Sequence, residues 1–260
     1  MRRDWLHRSG AEAVPAALRM RWWIAFMLAI LALIIGATVV SVEFELPAML
    51  VWMSGATGIF AFILLLLWYH LPRNYSPDRE STPASTLGLA TVVTLIRGGL
   101  VALLAGFLLV PPSGRLLWAP AILYGSAASL DWIDGRIARS RERVTILGER
   151  MDMALDTTGL LIGSLVGILW GRIPIWYLAM PAARYCYRAG LGWRERRGLP
   201  VKPLPDSAVR RPLAGLQMAF VAIALVPIIP VNVVWVFAGL VLIPGLGVFL
   251  RDYLSVTGRF

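Results

Sequence analysis

The stretch DWIDGRIARSRERVTILGERMDMALD, residues 131–156, contains four of the eight aspartates in the chain. Asp131 and Asp134 are three residues apart and Asp152 and Asp156 are four apart, so each pair lies on one face of a helix. Long apolar segments flank the stretch on both sides. A loop that joins two neighbouring spans places both pairs at the same membrane depth. The sequence therefore predicts four carboxylates that converge at one end of two adjacent helices.

The composition of the whole chain is that of a polytopic membrane protein. Of its 260 residues, 58% are hydrophobic and only 15% are charged, whereas soluble domains average about 25% charged residues. The mean hydropathy is +0.71. A soluble domain of this length could not bury so much apolar surface. The composition also excludes a disordered chain, and the single Cys186 excludes a disulfide scaffold.

Eight apolar segments are candidates for membrane spans, which need about 20 residues. They are residues 22–42, 48–71, 89–110, 116–133, 151–170, 173–189, 213–229 and 231–250. A polar stretch with three prolines, residues 72–85, separates the first two segments from the other six. The predicted fold class is therefore an all-α integral membrane protein of eight spans, arranged as two followed by six.

Arginines give the orientation of the predicted spans. Residues 1–21, 134–150 and 190–212 each contain five or more Arg or Lys, whereas the turns on the other side contain only Arg115 and Arg172. Since cytoplasmic loops are rich in these residues, both termini are predicted to be cytoplasmic. The net charge of +10 has the same explanation, so it does not indicate a nucleic-acid partner. We expect no cleavable signal peptide, because the first apolar segment is too long for one.

The four aspartates predict a metal site. Four carboxylates in a poorly solvated pocket either become protonated in part or bind cations. Oxygen ligands alone favour hard divalent ions such as Mg²⁺, Mn²⁺ or Ca²⁺ over Zn²⁺. Two such ions close together clamp a phosphoryl group during an in-line displacement. The alternative is ion pairing with nearby arginines, which is the interpretation we favour for Glu142 and Glu149.

The residues between the aspartates complete a longer pattern. It reads Asp131-x₂-Asp134-Gly135-x₂-Ala138-Arg139-x₈-Gly148-x₃-Asp152-x₃-Asp156. At all eight fixed positions it resembles the signature of the CDP-alcohol phosphotransferase family. Thr91-x₂-Thr94-x₂-Arg97 is also similar to an element in the first core span of that family, with Thr91 in place of the usual Asn. The resemblance covers about residues 85–255.

The resemblance implies a reaction and roles for the motif residues. Members of the family transfer a phosphatidyl-type group from a CDP-linked lipid, or a phospho-base from a CDP-alcohol, to a hydroxyl acceptor, and CMP leaves. The resemblance implies two divalent cations, Mg²⁺ or Mn²⁺, held by Asp131, Asp134, Asp152 and Asp156, with Asp156 also the general base. The CDP-binding residues that it implies are Asp131, Gly135, Ala138, Arg139 and Gly148. It further implies a six-helix core, often in a homodimer.

The predicted organisation has five parts. They are a cytoplasmic basic segment (1–21), two N-terminal transmembrane helices (22–71), a cytoplasmic linker (72–85), a six-span catalytic core (86–255) and a cytoplasmic tail (256–260). The two N-terminal helices are additional to the family core. We expect a bacterial inner-membrane protein that contacts membrane lipids, with its active site facing the cytoplasm, where CDP-lipids are available.

Arginines near the later spans are candidates for binding the acceptor. Arg184 and Arg188 are four residues apart at the cytoplasmic end of one predicted span, and Arg210 and Arg211 precede the next. Such cations can bind a phosphate on the acceptor. With CDP-diacylglycerol as donor, we therefore favour a phosphorylated polyol, such as glycerol 3-phosphate or an inositol phosphate, and a role in phospholipid biosynthesis. Ordinary loop charge or contact with anionic lipids explains the same arginines equally well.

Three alternative functions remain open from the sequence. A phosphotransferase of the same family could use serine or phosphatidylglycerol as acceptor, or a donor of the CDP-choline or CDP-ethanolamine type. A divalent-cation transporter would also contain acids within its spans, but a transport path needs polar groups across the whole membrane depth. A catalytically inactive scaffold is disfavoured by the complete set of four aspartates.

Overall fold

A computed structural model describes residues 14–75, 84–141, 145–202, 204 and 207–258 of the chain. Within these residues the chain forms eight α-helices and no β-strand. The helices are α1 (Ala16–Val40), α2 (Leu46–His70), α3 (Leu89–Ala105), α4 (Ala119–Arg141), α5 (Ile146–Leu169), α6 (Ala179–Arg196), α7 (Arg210–Ala224) and α8 (Val231–Val256). The predicted all-α class is therefore confirmed.

Each of the eight predicted spans overlaps one of these helices. Among the described residues, five helical segments are long and apolar enough to cross a membrane: Ala16–Val40, Leu46–Arg73, Leu89–Leu108, Ile146–Leu169 and Val231–Val256. The other three helices fall short by this measure, since charges interrupt α4 and α6 and α7 has only 15 residues. The chain is thus a helical membrane protein, while eight spans with both termini in the cytoplasm stay a prediction.

Helices α4 and α5 extend beyond the predicted spans at the end where the aspartates lie. The decrease in hydropathy predicted that one span ends at residue 133 and the next begins at residue 151. Instead α4 continues to Arg141, and α5 begins at Ile146. The Oγ1 atom of Thr145 caps α5 by accepting a hydrogen bond from the backbone N–H of Gly148 (3.0 Å). The aspartates therefore lie inside helices, and helix geometry fixes their positions.

The larger of two buried clusters joins residues of α2, α3, α4, α5, α7 and α8. Glycines allow these helices to approach closely. An added Cβ at Gly163 on α5 would lie 2.4 Å from a ring carbon of Tyr124 on α4, and one at Gly106 would lie 2.4 Å from the indole nitrogen of Trp52 on α2. No real side chain fits at such distances, so glycine is required for the packing seen at both positions.

A second buried cluster lies where the N-terminal helices meet the rest of the molecule. We call it the N-terminal cluster. Its members are Leu18, Ala29, Phe60, Ile63, Leu64, Leu67, Leu71, Ala102, Leu147, Met151 and Leu155. The indole N–H of Trp22 joins α1 to α2 by donating to the carbonyl of Leu64 (2.9 Å). The apolar side chains on the outer face of α1 are exposed, as expected for a helix that contacts lipid.

Arg172 connects two turns at the opposite end of α5 from the aspartates. Its guanidinium donates hydrogen bonds to the backbone carbonyls of Ala224 (2.7 Å), Val226 (2.6 Å), Pro227 (3.3 Å) and Ile229 (2.8 Å). These carbonyls belong to the end of α7 and to the turn before α8, where helical partners are missing. One side chain therefore holds the turn after α5 against the turn between α7 and α8.

Candidate active site

Three of the four motif aspartates lie together in the structure. Asp131 is on α4, and Asp152 and Asp156 are on one face of α5. One carboxylate oxygen from each lies within 4.8 Å of the other two. The side chains of the three residues are 33%, 47% and 21% exposed, in that order. The cluster is thus partly enclosed by helices and still open to a ligand.

The other motif residues of α4 lie on its helical backbone. They are Asp134, Gly135, Ala138 and Arg139. Their side chains lie outside the part of the chain that the structure describes. The metal-binding role predicted for the aspartate and the CDP-binding roles predicted for the other three therefore stay predictions.

Gly148 lies in the first turn of α5, close to α3. An added Cβ at this position would lie 3.0 Å from Oγ1 of Thr91 and 3.2 Å from Oγ1 of Thr145. Glycine therefore leaves space for these two hydroxyl groups at the start of α5, which is separate from its predicted role at the CDP site.

The guanidinium of Arg97, on α3, lies between the three aspartates. Its Nη1 is 2.8 Å from an oxygen of Asp131 and 2.9 Å from one of Asp152, and its Nη2 is 2.6 Å from one of Asp156. Because its side chain is only 7% exposed, its charge has lost most of its hydration and depends on these partners. The sequence indicated Arg97 only through the family-like element on α3, since spacing alone does not show which face of α3 meets α5.

The three carboxylates fit a site for a hard divalent cation. Carboxylate oxygens are the ligands that Mg²⁺ and Mn²⁺ prefer, and oxygens on opposite sides of a Mg²⁺ ion are about 4 Å apart. Carboxylate oxygens within 4.8 Å of one another reach that distance by small side-chain rotations. The guanidinium between them shows that this point favours positive charge. The donor set is therefore chemically suited to a divalent metal ion.

A small cavity of about 20 Å³ adjoins the aspartate cluster. Asp156, Arg97 and Tyr124 line it together with apolar residues. The Tyr124 ring is almost fully buried and closes the cavity from the side of α4. The Asp156 carboxylate therefore borders a space that is large enough for about one water molecule.

A larger cavity of about 190 Å³ lies among α5, α6, α7 and α8. Its polar lining consists of Arg184, Tyr187, Arg210, Gln217 and Asp252. Leu160 and Met218 line both cavities. The larger cavity therefore adjoins the one that contains Asp156, and its arginines could bind a small anionic ligand.

Of the four arginines considered for the acceptor, Arg184 and Arg210 line the larger cavity. Arg188 and Arg211 are exposed and are not among its described lining residues. Arg210 faces the cavity instead of Arg211, because adjacent helical residues point about 100° apart. Arg210 also donates to Asp252, from Nε to Oδ2 (2.5 Å) and from Nη2 to Oδ1 (3.1 Å).

Asp252 and Gln217 line this cavity and were missed by the sequence analysis. Asp252 is 5% exposed and pairs with Arg251 (2.9 Å) as well as with Arg210. Gln217 is 1% exposed; it accepts a hydrogen bond from the hydroxyl of Tyr177 and donates one to a backbone carbonyl of α8. An acid at the end of the last apolar segment was the available signal for Asp252, since such a charge needs a partner.

Comparison with known proteins agrees with the resemblance found in the sequence. Residues 87–247 match the CDP-alcohol phosphatidyltransferase family, and this stretch contains Arg97 and the three clustered aspartates. The chain belongs to the CDP-alcohol phosphatidyltransferase family. Helices α1 and α2 lie outside the matched residues.

One similar protein is the phosphatidylinositol phosphate synthase of Corynebacterium glutamicum. The two are 40% identical over 75 residues, which make up 28% of this chain and 33% of that relative. The chain therefore matches about a third of the relative's length. No solved structure matches the chain significantly.

Proposed function

We propose that the protein transfers a phosphatidyl group from CDP-diacylglycerol to a hydroxyl acceptor and releases CMP, in a reaction that requires Mg²⁺ or Mn²⁺. The observation that carries the proposal is the cluster of Asp131, Asp152 and Asp156 around Arg97. Membership of the family supports the donor and the class of reaction. A reaction of this kind belongs to phospholipid biosynthesis.

The side chains of the site have distinct roles in this reaction. The acceptor hydroxyl oxygen attacks the phosphorus that bears the diacylglycerol, so that a new P–O bond forms while the P–O bond to CMP breaks. The hydroxyl proton passes to the Asp156 carboxylate, which borders the small cavity. Arg97 holds the three carboxylates in place and adds positive charge near the diphosphate. Bound divalent cations would neutralise the charge that develops on the leaving CMP.

We propose an inositol phosphate as the acceptor. Arg184 and Arg210 line the larger cavity, and guanidinium groups bind phosphate through paired hydrogen bonds. The name of the similar synthase from Corynebacterium glutamicum favours an inositol phosphate over glycerol 3-phosphate, which would offer the same phosphate group. Acceptors without phosphate, such as serine or myo-inositol, would make no use of the positive charge of Arg184 in this cavity.

We propose that Asp134 completes the metal site and that Gly135, Ala138, Arg139 and Gly148 bind the cytidine diphosphate. The family signature supports both assignments. The concentration of arginines in three segments supports a site that faces the cytoplasm from a bacterial inner membrane. We also propose a homodimer, which chemical cross-linking of the protein in native membranes followed by mass measurement would test.

The decisive experiment measures CMP release by the purified full-length protein with CDP-diacylglycerol and Mn²⁺ or Mg²⁺. Inositol 1-phosphate, glycerol 3-phosphate, myo-inositol, serine and phosphatidylglycerol are supplied in separate reactions. We expect release with inositol 1-phosphate, its loss in Asp156→Asn and in EDTA, and near-normal release in Glu149→Gln. Glu149 is a matched control because it is an exposed acid on the same helix.

Two results would contradict the proposal. Release with glycerol 3-phosphate alone would retain the reaction and reject the inositol phosphate. Mn²⁺ uptake into proteoliposomes, combined with no CMP release from any acceptor, would favour the cation transporter.

A further inference from the structure

Two rows of residues run side by side along the first turns of α5. One row contains the motif residues Gly148, Asp152 and Asp156, and the other contains Leu147, Met151 and Leu155. Both rows have i, i+4 spacing, and each apolar residue directly precedes a motif residue. The rows are therefore about 100° apart around the helix axis. Whatever fixes the apolar row also fixes the direction in which the aspartates point.

The apolar row is buried and belongs to the N-terminal cluster. Leu147 and Met151 are 0% exposed and Leu155 is 3% exposed. Most of the other residues in this cluster belong to α1, α2 and the turn after α2. These elements lie outside the residues that match the family. The helix with the catalytic aspartate therefore packs, on one face, against a part of this chain that is additional to the family core.

Helices α2, α3 and α5 approach one another at Gly98. An added Cβ at Gly98 would lie 2.9 Å from Leu155 Cδ1 and 3.0 Å from Ile63 Cδ1. Gly98 directly follows Arg97, and Leu155 directly precedes Asp156. A side chain of α2 thus reaches the contact that sets the distance between the bridging guanidinium and the aspartate beside it.

The segment that follows α2 is also joined to the start of α5. The carbonyl of Tyr75 accepts a hydrogen bond from the backbone N–H of Ile146, the first residue of α5 (3.1 Å). The neighbouring Asn74 is fully buried, and its side-chain amide donates to the carbonyls of Ala84 (3.0 Å) and Thr86 (2.9 Å). The N-terminal helices are therefore fixed to α5 through the backbone as well as through side chains.

We propose that α1 and α2 position the catalytic helix. Through Ile63, Leu67 and the rest of the N-terminal cluster, they set the rotation of α5 and hence the alignment of Asp152 and Asp156 with Asp131. These cluster residues are positioning residues, since they act through the aspartates and do not touch substrate. The inference rests on the proposed function in one respect, namely that the aspartates bind divalent cations.

The test compares two leucines with equal burial in different clusters. Leu67 belongs to the N-terminal cluster and Leu225 to the larger cluster, and both are 0% exposed. Leu67→Ala and Leu225→Ala should lower the melting temperature to a similar extent, because each leaves a cavity. Mn²⁺ affinity is measured by electron paramagnetic resonance on the full-length protein in nanodiscs, together with CMP release.

We expect Leu67→Ala to weaken Mn²⁺ binding about tenfold, the size of effect seen when groups that orient metal ligands are changed. It should lower kcat with little change in the KM for CDP-diacylglycerol. Leu225→Ala should change Mn²⁺ affinity less than about twofold. Leu67→Met should bind Mn²⁺ like the parent, because the volume of the side chain is conserved. If the alanine variants do not fold, Ile63→Val and Ile173→Val form a milder pair with the same contrast, since both residues are buried.

The outcomes separate this inference from the function on which it rests. If the parent binds Mn²⁺ and the two paired variants bind it with equal affinity, the positioning role is wrong. The proposed function is then unaffected. If the parent binds Mn²⁺ and Asp152→Asn does not reduce that binding, the proposed metal site is wrong, and the inference is wrong with it.

Discussion

Arg97 and the predicted metal ions depend on the same carboxylates. Each of its three partners, Asp131, Asp152 and Asp156, is a predicted metal ligand. A nearly buried guanidinium stabilises carboxylates that would otherwise repel one another. When a divalent cation binds, it provides part of the same stabilisation. The arginine and the metal are therefore energetically coupled, and the coupling is measurable in the stability of the protein.

Arg97→Gln should destabilise the protein most strongly when no metal is present. Loss of its charge-assisted hydrogen bonds should cost about 1–3 kcal/mol, seen as a lower melting temperature in EDTA. Mn²⁺ should then raise the melting temperature of the variant more than that of the parent. Arg196→Gln is the control, since Arg196 is exposed. Equal metal-induced shifts in all three proteins would contradict the coupling.

The two arginines of the larger cavity should govern binding of the acceptor. Arg184→Ala and Arg210→Ala should each raise the KM for inositol 1-phosphate about tenfold, because a charge-assisted hydrogen bond contributes about 1.5–3 kcal/mol. The KM for CDP-diacylglycerol should change little. Arg211→Ala is a closely matched control, since Arg211 is adjacent in sequence and exposed. An equal effect of all three substitutions on the KM would show that these arginines act only through the general positive charge of the surface.

At the scale of helices, the sequence was sufficient to predict which side chains share a face, because local spacing determines that geometry. The i, i+4 spacing of Asp152 and Asp156 predicted a shared face, and the short connection to α4 accounts for the nearby Asp131. The rotation of separate helices is set by tertiary packing, which one sequence does not show. That is why Arg97 was not predicted to meet the aspartates, and why Arg210 lines the cavity in place of Arg211.

Helix boundaries were less predictable than helix identity. Hydropathy predicted that the span with the aspartates begins at residue 151, because Glu149 and Arg150 interrupt the apolar run. These residues are good helix formers, and Thr145 provides a cap, so α5 begins at Ile146. Hydropathy indicates which part of a helix can contact lipid, whereas the capping residue determines where the helix begins.

The cap of α5 should contribute measurably to stability. Thr145→Ala removes the oxygen that accepts from the N–H of Gly148, which should cost about 1 kcal/mol and lower the melting temperature by about 2–4 °C. Thr145→Ser retains a hydroxyl oxygen and should behave like the parent. A serine variant as unstable as the alanine variant would show that the methyl group of threonine, and not the cap, is responsible.

On the scale of the whole molecule, α5 connects the predicted catalytic residues with a separate set of structural contacts beyond its C-terminal end. Asp152 and Asp156 lie in its first half, and Arg172 follows its end. The helix has 24 residues and is therefore about 36 Å long. At the first end, the N-terminal cluster and Arg97 surround the aspartates; at the second, Arg172 holds the turns of the later helices. Changes at the two ends should consequently be separable into effects on catalysis and effects on stability.

Arg172→Gln should destabilise the protein without changing its substrate affinities. A glutamine cannot donate to all four carbonyls that Arg172 contacts, so we expect a loss of about 2–3 kcal/mol and a melting temperature lower by about 4–10 °C. KM values should stay within about twofold of the parent, because Asp156 lies about 20 Å along α5 from the end of the helix that Arg172 follows. Arg115→Gln is the control, since Arg115 is the other arginine of the predicted outer turns and is exposed. A KM that rises together with the loss of stability would show that the two ends of the helix are coupled.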